Sequence, residues 1–435
     1  MGFLKNLNFY KGKNILLLQG PRGPFFWRLK KDLEKVGAKV YKINFNGGDW
    51  IFYPIGCINY RGSLDDFEQF LSRFLDEKAI DIVLLFSDWR PIHRKAVNLC
   101  KKKGILVGVF EEGYVRPNYI TFEPMGVNGY SLLVNENFDI DKLEFPRPQN
   151  KNVFPVGNSF WHEVLWAVLY YLFANLLRPI FPRYKHHISL YFPESLFKEG
   201  LPWLLSGLKK YYYLYKERNV KKKILTELSG KYYLVPLQVH NDSQVVFHSP
   251  FNDVKDFIKV VIESFSKHAP QDVYLVFKHH PRDRAYRDYT RYIRNIARSY
   301  GVEERVFYIH DAHLPTLIDN SIGVVVINSS VGLQALDHGK PTIVLGKAIY
   351  NKKGITYAGS LSNFWKEAKN FRMDKARYRK LRDFILFYCQ MNGSLHKRVC
   401  KESYTGLVWE NYDLNRCIEI YRTLTGGKNA EKIAG

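Results

Sequence analysis

From Asn14 onward, short apolar runs alternate with longer amphipathic stretches. Ile15–Leu18, Lys39–Ile43, Ile82–Phe86 and Ile105–Phe110 read as strands. Phe25–Val36, Leu64–Asp76 and His93–Lys103 carry the spacing of helices with one apolar face. The alternation returns later, with strands expected at Tyr232–Val235, Val273–Phe277, Val306–Ile309, Val324–Ile327 and Thr342–Leu345. The helices expected among them are Val254–Lys267, Ala285–Tyr300, Leu314–Asn320 and Val331–Asp337. Strands and helices alternating at this spacing predict parallel sheets built from β-α-β units. Two such arrays, joined by an aromatic helical stretch, predict two Rossmann-like domains facing a cleft. The expected divisions are 1–150, a helical linker or insertion at 151–228, 229–359, and C-terminal helices at 360–435 that pack back on the domains. No repeat of 20–50 residues is evident.

In open α/β sheets, ligands bind beyond the carboxyl ends of the strands, and the polar oddities of this sequence fall there. In the first array these are Gln19-Gly20-Pro-Arg22-Gly, Ser87-Asp88-Trp-Arg90-Pro-Ile-His93 and Glu111-Glu112-Gly113-Tyr-Val-Arg116. In the second they are Gln238-Val-His240-Asn-Asp242-Ser-Gln244, Lys278-His279-His280-Pro281-Arg282 and Asn328-Ser329-Ser330-Val-Gly332. Adjacent carboxylates at a strand end point to opposite sides, so one glutamate can serve as nucleophile or base while the other braces it. The Lys-His-His-Pro-Arg cluster suits a phosphate leaving group. The Ser-Ser helix start offers hydroxyls and backbone N–H groups to an anion. Each has a plainer reading: solvated loop glutamates, a basic surface loop, ordinary capping. Asp139-Ile-Asp141, although it resembles a D-x-D metal site, reads as a solvated loop. His186-His187 reads as basic surface, and no histidine pair has metal-site spacing on a helix.

Charge adds a second theme. The 435-residue chain carries 65 basic and 42 acidic residues, a formal +23, which implies a polyanionic partner. The densest basic stretch, Lys209–Lys223, interleaves seven Lys/Arg and one Glu with tyrosines. Upstream lies the most apolar run, Val164–Leu177, shorter than the roughly 20 residues a spanning helix needs. Two readings stay open for it: a buried core helix, or an interfacial helix with Trp161, Trp166, Tyr170 and Tyr171 at headgroup level. Five dispersed cysteines without a C-x-x-C pair suit a reducing compartment. The N-terminal residues have no apolar core of signal-peptide length. A cytoplasmic location is therefore expected. No helix-turn-helix, zinc-finger or RNP signature supports nucleic acid as the partner.

Carboxylates on one domain, with a His-Pro turn and a serine cap on the other, resemble nucleotide-sugar transferases of the GT-B type. The order acidic-acidic-Gly, His-Pro, Ser-Ser is similar to CMP-sugar-using enzymes. Longer strings resemble the capsule polysaccharide biosynthesis and export proteins of the LipB/KpsS type. They are Leu16-Leu-Leu-Gln-Gly-Pro-Arg-Gly-Pro-Phe-Phe, Asn44-Phe-Asn46-Gly-Gly-Asp49-Trp, Tyr60-Arg-Gly-Ser, Phe110-Glu-Glu-Gly-Tyr-Val-Arg-Pro, Pro236-Leu-Gln-Val-His-Asn-Asp-Ser-Gln, His280-Pro281, Asn328-Ser-Ser-Val-Gly-Leu and Gln390-Met-Asn-Gly-Ser. The resemblance implies a retaining β-Kdo transferase that takes CMP-Kdo as donor. It would start the poly-Kdo linker on a phosphatidylglycerol-type lipid at the inner face of the cytoplasmic membrane, before a KpsC-type transferase and the export machinery act. Glu112 is the expected nucleophile, with Glu111 the alternative, and Asp88 and His93 orient it or relay a proton. Lys278, His280, Pro281, Asn328, Ser329, Ser330, Gln238, Asp242 and Gln244 are assigned to the donor. Gln19, Gly20, Arg22, Asn46, Asp49 and Arg116 are assigned to the acceptor side. No cofactor or metal is required, since protein cations can neutralise the phosphate. The rival is a non-catalytic, membrane-docked export factor.

Overall fold

A computed structural model describes residues 1–135, 138–146, 153–178, 196–240 and 242–425, with backbone alone for 196–204 and 243. Twelve strands occur among these residues. They are β1 (Asn14–Leu17), β2 (Lys39–Asn44), β3 (Ile58–Asn59), β4 (Ile82–Phe86), β5 (Leu106–Glu112), β6 (Tyr119–Pro124), β7 (Tyr232–Pro236), β8 (Tyr274–Lys278), β9 (Val306–Ile309), β10 (Gly323–Val326), β11 (Thr342–Val344) and β12 (Gln390–Asn392). The chain forms two units, Met1–Leu196 with Lys380–Gly435, and Phe197–Arg379. The middle stretch 151–228 is thus shared between the units, and the tail from Lys380 belongs with the N-terminal one.

The first unit holds a seven-stranded sheet in the order β12-β6-β5-β4-β1-β2-β3. Its centre is parallel, with Ile15 opposite Ile82 and Leu84 opposite Gly108. The parallel pattern expected from the sequence is corrected at one side, where β6 and β12 run antiparallel. The cause lies just after β5. Only six residues separate β5 from β6, too few for the helical crossover a parallel neighbour requires. Pairing with β6 also carries β5 through Glu111 and Glu112, two residues beyond the expected end.

Helix Phe160–Leu176 packs on the short helix Gly47–Phe52 through two glycines. A Cβ at Gly47 would lie 2.3 Å from the Phe173 carbonyl oxygen, and one at Gly48 2.7 Å from the Tyr170 ring. Ala167, Tyr170, Tyr171 and Ala174 form its buried face. Trp161, Leu165, Val168, Leu172 and Leu176, spaced three or four residues apart, stay exposed. The helix therefore has a core face and an uncovered apolar face.

The second unit is a wholly parallel sheet, β11-β10-β7-β8-β9. Alternation along each strand feeds two separate cores. Tyr233, Val235, Leu275, Phe277 and Val325 pack on one side, and Tyr232, Leu234, Val276, Val324 and Val326 on the other. The basic helices Leu196–Lys216 and Arg218–Leu225 meet at Glu217. Its carboxylate accepts from the His310 N–H at 3.0 Å and sits 2.6 Å from His310 Nδ1, while the Tyr213 ring stacks on that imidazole at 3.6 Å. No helix among the described residues is long and apolar enough to cross a membrane.

Candidate active site

At the carboxyl end of β5 the two glutamates part company. Glu111 turns inward: Ser87 Oγ donates to its Oε2 at 2.7 Å, and the Glu112 N–H donates to Oε1 at 3.0 Å. Ser87 itself adopts φ +62°, an uncommon conformation for a serine that aims its hydroxyl at this carboxylate. Burial pushes the Glu111 carboxyl up to about 7, against the pull of those two hydrogen bonds. Glu112 faces the other way with a side chain 42% exposed, its Oε1 3.5 Å from His396 Nε2. One carboxyl is shielded, the other reaches solvent.

The turn after β5 is tightly held. A Cβ at Gly113 would come 2.0 Å from the Tyr119 carbonyl oxygen, so only glycine fits. Arg116 Nε donates back to the Gly113 carbonyl at 2.9 Å, and the Val115 N–H donates to Gln390 Oε1 at 3.2 Å. Arg116 is therefore a brace of the turn that carries Glu112.

Asp88 is buried and accepts from the Val127 N–H at 3.2 Å, with Arg94 at 3.7 Å; burial raises its carboxyl to about 6. His93 is buried, its Nδ1 2.8 Å from the Ser87 carbonyl oxygen. These two support the strand ends. Glu123, unassigned from the sequence, is a third buried carboxyl, raised to about 7 by desolvation and bonded to Tyr114 and Ser131.

Gln19, Asn46 and Asp49 form one closed network. Gln19 Nε2 donates to Asp49 and to Tyr170 Oη at 3.0 Å, Asn46 Nδ2 donates to Tyr170 Oη at 2.8 Å, and the Phe45 N–H donates to Asp49 at 2.9 Å. Arg90 donates to Gln19 Oε1. Gly20 leaves room for Phe26, whose ring a Cβ would approach to 2.8 Å, and Arg22 pairs with Glu163 at 3.6 Å. This group ties the loop after β1 to helix Phe160–Leu176.

In the second unit the remaining residues gather at the ends of β7, β8 and β10. Gln238 Nε2 bridges Asp242 Oδ2 (3.0 Å) and Asn328 Oδ1 (3.1 Å), and its Oε1 is buried without a hydrogen-bond partner. Asn328 Nδ2 donates to the Gln244 carbonyl at 2.7 Å, and Asp242 Oδ1 caps Gln244 N–H at 2.9 Å. Ser329 Oγ caps the helix Ser330–Asp337 by accepting from the Val331 N–H, and Ser330 opens that helix, exposed. His280 Nδ1 accepts from the Arg282 N–H at 3.2 Å, so the ring proton is assigned to Nε2; Pro281 follows as the first residue of the short turn Pro281–Asp283. Lys278 is buried, its Nζ donating to the His279 carbonyl, and burial lowers its pKa.

Elsewhere, Asp139 caps a single turn by accepting from the Asp141 N–H at 3.1 Å. Among the described residues no group of three or more His, Cys, Asp or Glu could hold a metal ion. His186, His187 and Asn241 lie outside the described residues, as does the Ser243 side chain.

The family described as "Capsule polysaccharide biosynthesis protein" matches residues 81–396, from the strand before Ser87 to His396 beside Glu112. The Escherichia coli capsule polysaccharide export protein KpsS is 39% identical over 392 residues, covering 88% of this chain and 96% of its own. This chain belongs to the capsule polysaccharide biosynthesis family. A second family relative, the capsule polysaccharide modification protein LipB of Neisseria meningitidis serogroup A, is 38% identical over 405 residues, 91% of this chain and 94% of its own. Among solved structures, the KpsC β-Kdo 2,7 transferase of Thermosulfurimonas dismutans aligns over 94% of this family member and 98% of its own chain, at 15% identity and a TM-score of 0.43.

Sequence reasoning missed Ser87 as the partner of Glu111, Tyr170 as the hub of the Gln19 network, and His396. Each contact joins residues far apart in the chain, and nothing local marks it.

Proposed function

We propose that this capsule biosynthesis protein is a retaining glycosyltransferase of GT-B type. It moves β-Kdo from CMP-Kdo to a phosphatidylglycerol-type lipid, starting the poly-Kdo linker. The observation that carries the reading is the division of labour at the end of β5. A shielded carboxyl and an accessible one stand side by side on a turn that admits only glycine.

Glu112 attacks the anomeric carbon as the bond to the CMP phosphate breaks, and the electron pair leaves with the phosphate. The acceptor hydroxyl oxygen then bonds to that carbon, the ester bond breaks to return the Glu112 carboxylate, and the hydroxyl proton passes to solvent. Glu111, capped by Ser87, holds the Glu112 backbone in place. The second unit carries, at its strand ends, His280 Nε2–H, Lys278 and the N-terminus of helix Ser330–Asp337, groups suited to a phosphate. Gln238 Oε1, buried without a partner, suits a nucleotide hydroxyl or amine donor.

The lipid acceptor calls for access to a membrane surface. Lys209–Lys223 supplies seven Lys/Arg against one Glu, each worth about 1 kcal/mol near an anionic leaflet. Leu208, Tyr211, Tyr212 and Tyr215 are exposed among them, and helix Phe160–Leu176 adds its own uncovered apolar face. Together these groups favour reversible docking on an anionic surface.

The test is incubation of the purified protein with CMP-Kdo and a synthetic phosphatidylglycerol acceptor, followed by mass spectrometry. One Kdo added per lipid, with CMP released in equal amount, is the expected result. Docking on vesicles with no turnover would refute transfer and favour the export-factor reading.

A further inference from the structure

Glu123 lies fully buried on β6, opposite Val109 of β5, and its surroundings fix which way each neighbouring proton points. Tyr114 Oη accepts from the Asn128 N–H at 2.8 Å, so its own proton is assigned to Glu123 Oε1 at 2.6 Å. Ser131 Oγ accepts from the Leu133 N–H at 3.2 Å, and its proton is assigned to Oε2 at 2.6 Å. The Cys389 thiol adds a weaker bond. Both carboxyl oxygens are therefore acceptors, a role that only the ionised form fills in full. Burial works against it, pushing the carboxyl up to about 7, and these bonds pull the other way.

The network reaches the candidate nucleophile through the chain. Tyr114 stands two residues after Glu112, and the glycine between them has the freest backbone of any residue. Such a turn holds Glu112 in one place only when it is clamped on both sides. Upstream, Thr121 Oγ1 donates to the Glu112 carbonyl at 2.9 Å. Downstream, Val115 N–H is tied to Gln390 and the Tyr114 hydroxyl to Glu123. Of these three ties to neighbouring segments, Tyr114–Glu123 is the one that meets a carboxylate, and charge-assisted bonds are roughly twice as strong as neutral ones.

We infer that Glu123 is a positioning residue, which as a carboxylate holds the Tyr114 hydroxyl and so fixes the turn that presents Glu112. This rests on the transfer reaction proposed above. Glu123 acts through Tyr114 and takes no part in bond making. Glutamine in its place offers one acceptor and one amide donor, so one of the two hydroxyl protons meets an N–H. Phenylalanine at 114 removes the same bond from its other end and keeps the ring.

The test has two arms. In the transfer assay, Glu123→Gln and Tyr114→Phe each lower kcat at least fivefold, toward the roughly hundredfold cost of a misplaced reacting group, with donor KM within twofold of wild type. The double variant falls no more than threefold below the worse single one, because both changes remove one bond. A smaller loss in kcat, a loss that appears only in KM, or losses that multiply in the double variant would overturn the inference. The second arm needs no substrate and reads a bond already present in the structure. Backbone amide exchange at 112–116, followed by mass spectrometry at pH 8, quickens at least threefold in both variants, while 106–109 exchanges as in wild type. A smaller change at 112–116 overturns the clamp. Should Glu123→Gln not fold, Tyr114→Phe alone decides both arms. If wild type transfers nothing, the transferase reading fails, and the exchange arm still decides whether Glu123 holds this turn.

Discussion

Replacing Glu111 with glutamine separates a buried carboxyl from a reactive one, and its effect on stability should reverse sign with pH. Burial is the dominant influence on this group, raising its pKa from 4.5 to about 7. Below pH 4.5 the carboxyl is protonated in both folded and unfolded chains and contributes nothing. As pH rises from 4.5 to 7 the unfolded chain ionises while the folded one does not, so folding is progressively disfavoured. Above pH 7 the full cost is present, at most about 3 kcal/mol. Glutamine removes that cost. It keeps one oxygen for the two donors, Ser87 Oγ and the Glu112 N–H, and the mismatch costs about 1–2 kcal/mol at every pH.

The variant should therefore be less stable than wild type by about 1–2 kcal/mol at pH 4.5 and more stable by a similar amount at pH 8. The curves should cross near pH 6. At about 2–4 °C per kcal/mol, the crossover is resolved by scanning calorimetry on paired samples from pH 4.5 to 8. Asp88 and Glu123 titrate in both proteins and largely cancel in the difference. A melting difference that stays constant across the range would refute burial as the cause of the shift. The same variant should retain measurable transfer, since in the proposed mechanism Glu111 orients and does not attack.

Three further outcomes are expected. Glu112→Gln keeps size and hydrogen bonding but removes the attacking charge, so turnover should fall by several orders of magnitude with CMP binding intact; near-normal turnover would remove Glu112 from the mechanism. His280→Ala and the double change Ser329→Ala/Ser330→Ala should each weaken CMP binding about ten- to a hundredfold, by the loss of a charge-assisted hydrogen bond, and unchanged calorimetric affinity in both would refute this placement of the phosphate. Charge reversal at Lys221–Lys223 should weaken flotation with phosphatidylglycerol vesicles while leaving activity on a short water-soluble acceptor intact, and equal binding of wild type to neutral and anionic vesicles would sink the electrostatic part of docking.

The central parallel strands were legible because both of their faces are buried. Tyr232–Pro236 and Gly323–Val326 are near-continuous apolar runs. The strands that escaped notice break that rule. Tyr119–Pro124 contains Thr121 and Glu123, both fully buried, so its polar residues conceal an interior strand. Gln390–Asn392 is three residues long, and two of them are polar. The strand-end motifs lie in the loops that follow the strands, but the sequence does not show what each side chain touches. Asp49, assigned to the acceptor side, is buried under Tyr170 because the two glycines let a helix approach that closely.

The apolar run Val164–Leu177 shows why composition alone left two readings open there. Its hydropathy is nearly uniform, so no polar stripe tells which side is covered. The covering partner is fixed elsewhere, by Gly47 and Gly48, and it takes only the face bearing Ala167, Tyr170, Tyr171 and Ala174. The tyrosines expected at headgroup level are therefore core residues, and Tyr170 spends its hydroxyl on Asn46, Gln19 and Asp49. Trp161, Leu165, Val168, Leu172 and Leu176 remain uncovered along one side of the helix. Apolar side chains in water gain about 0.8 kcal/mol for each methylene they bury, so five in a row make a stripe with a standing gain from any apolar phase it meets. The same helix is thus anchored by its small and aromatic residues to the loop that follows β1, while its aliphatic ones stay uncovered.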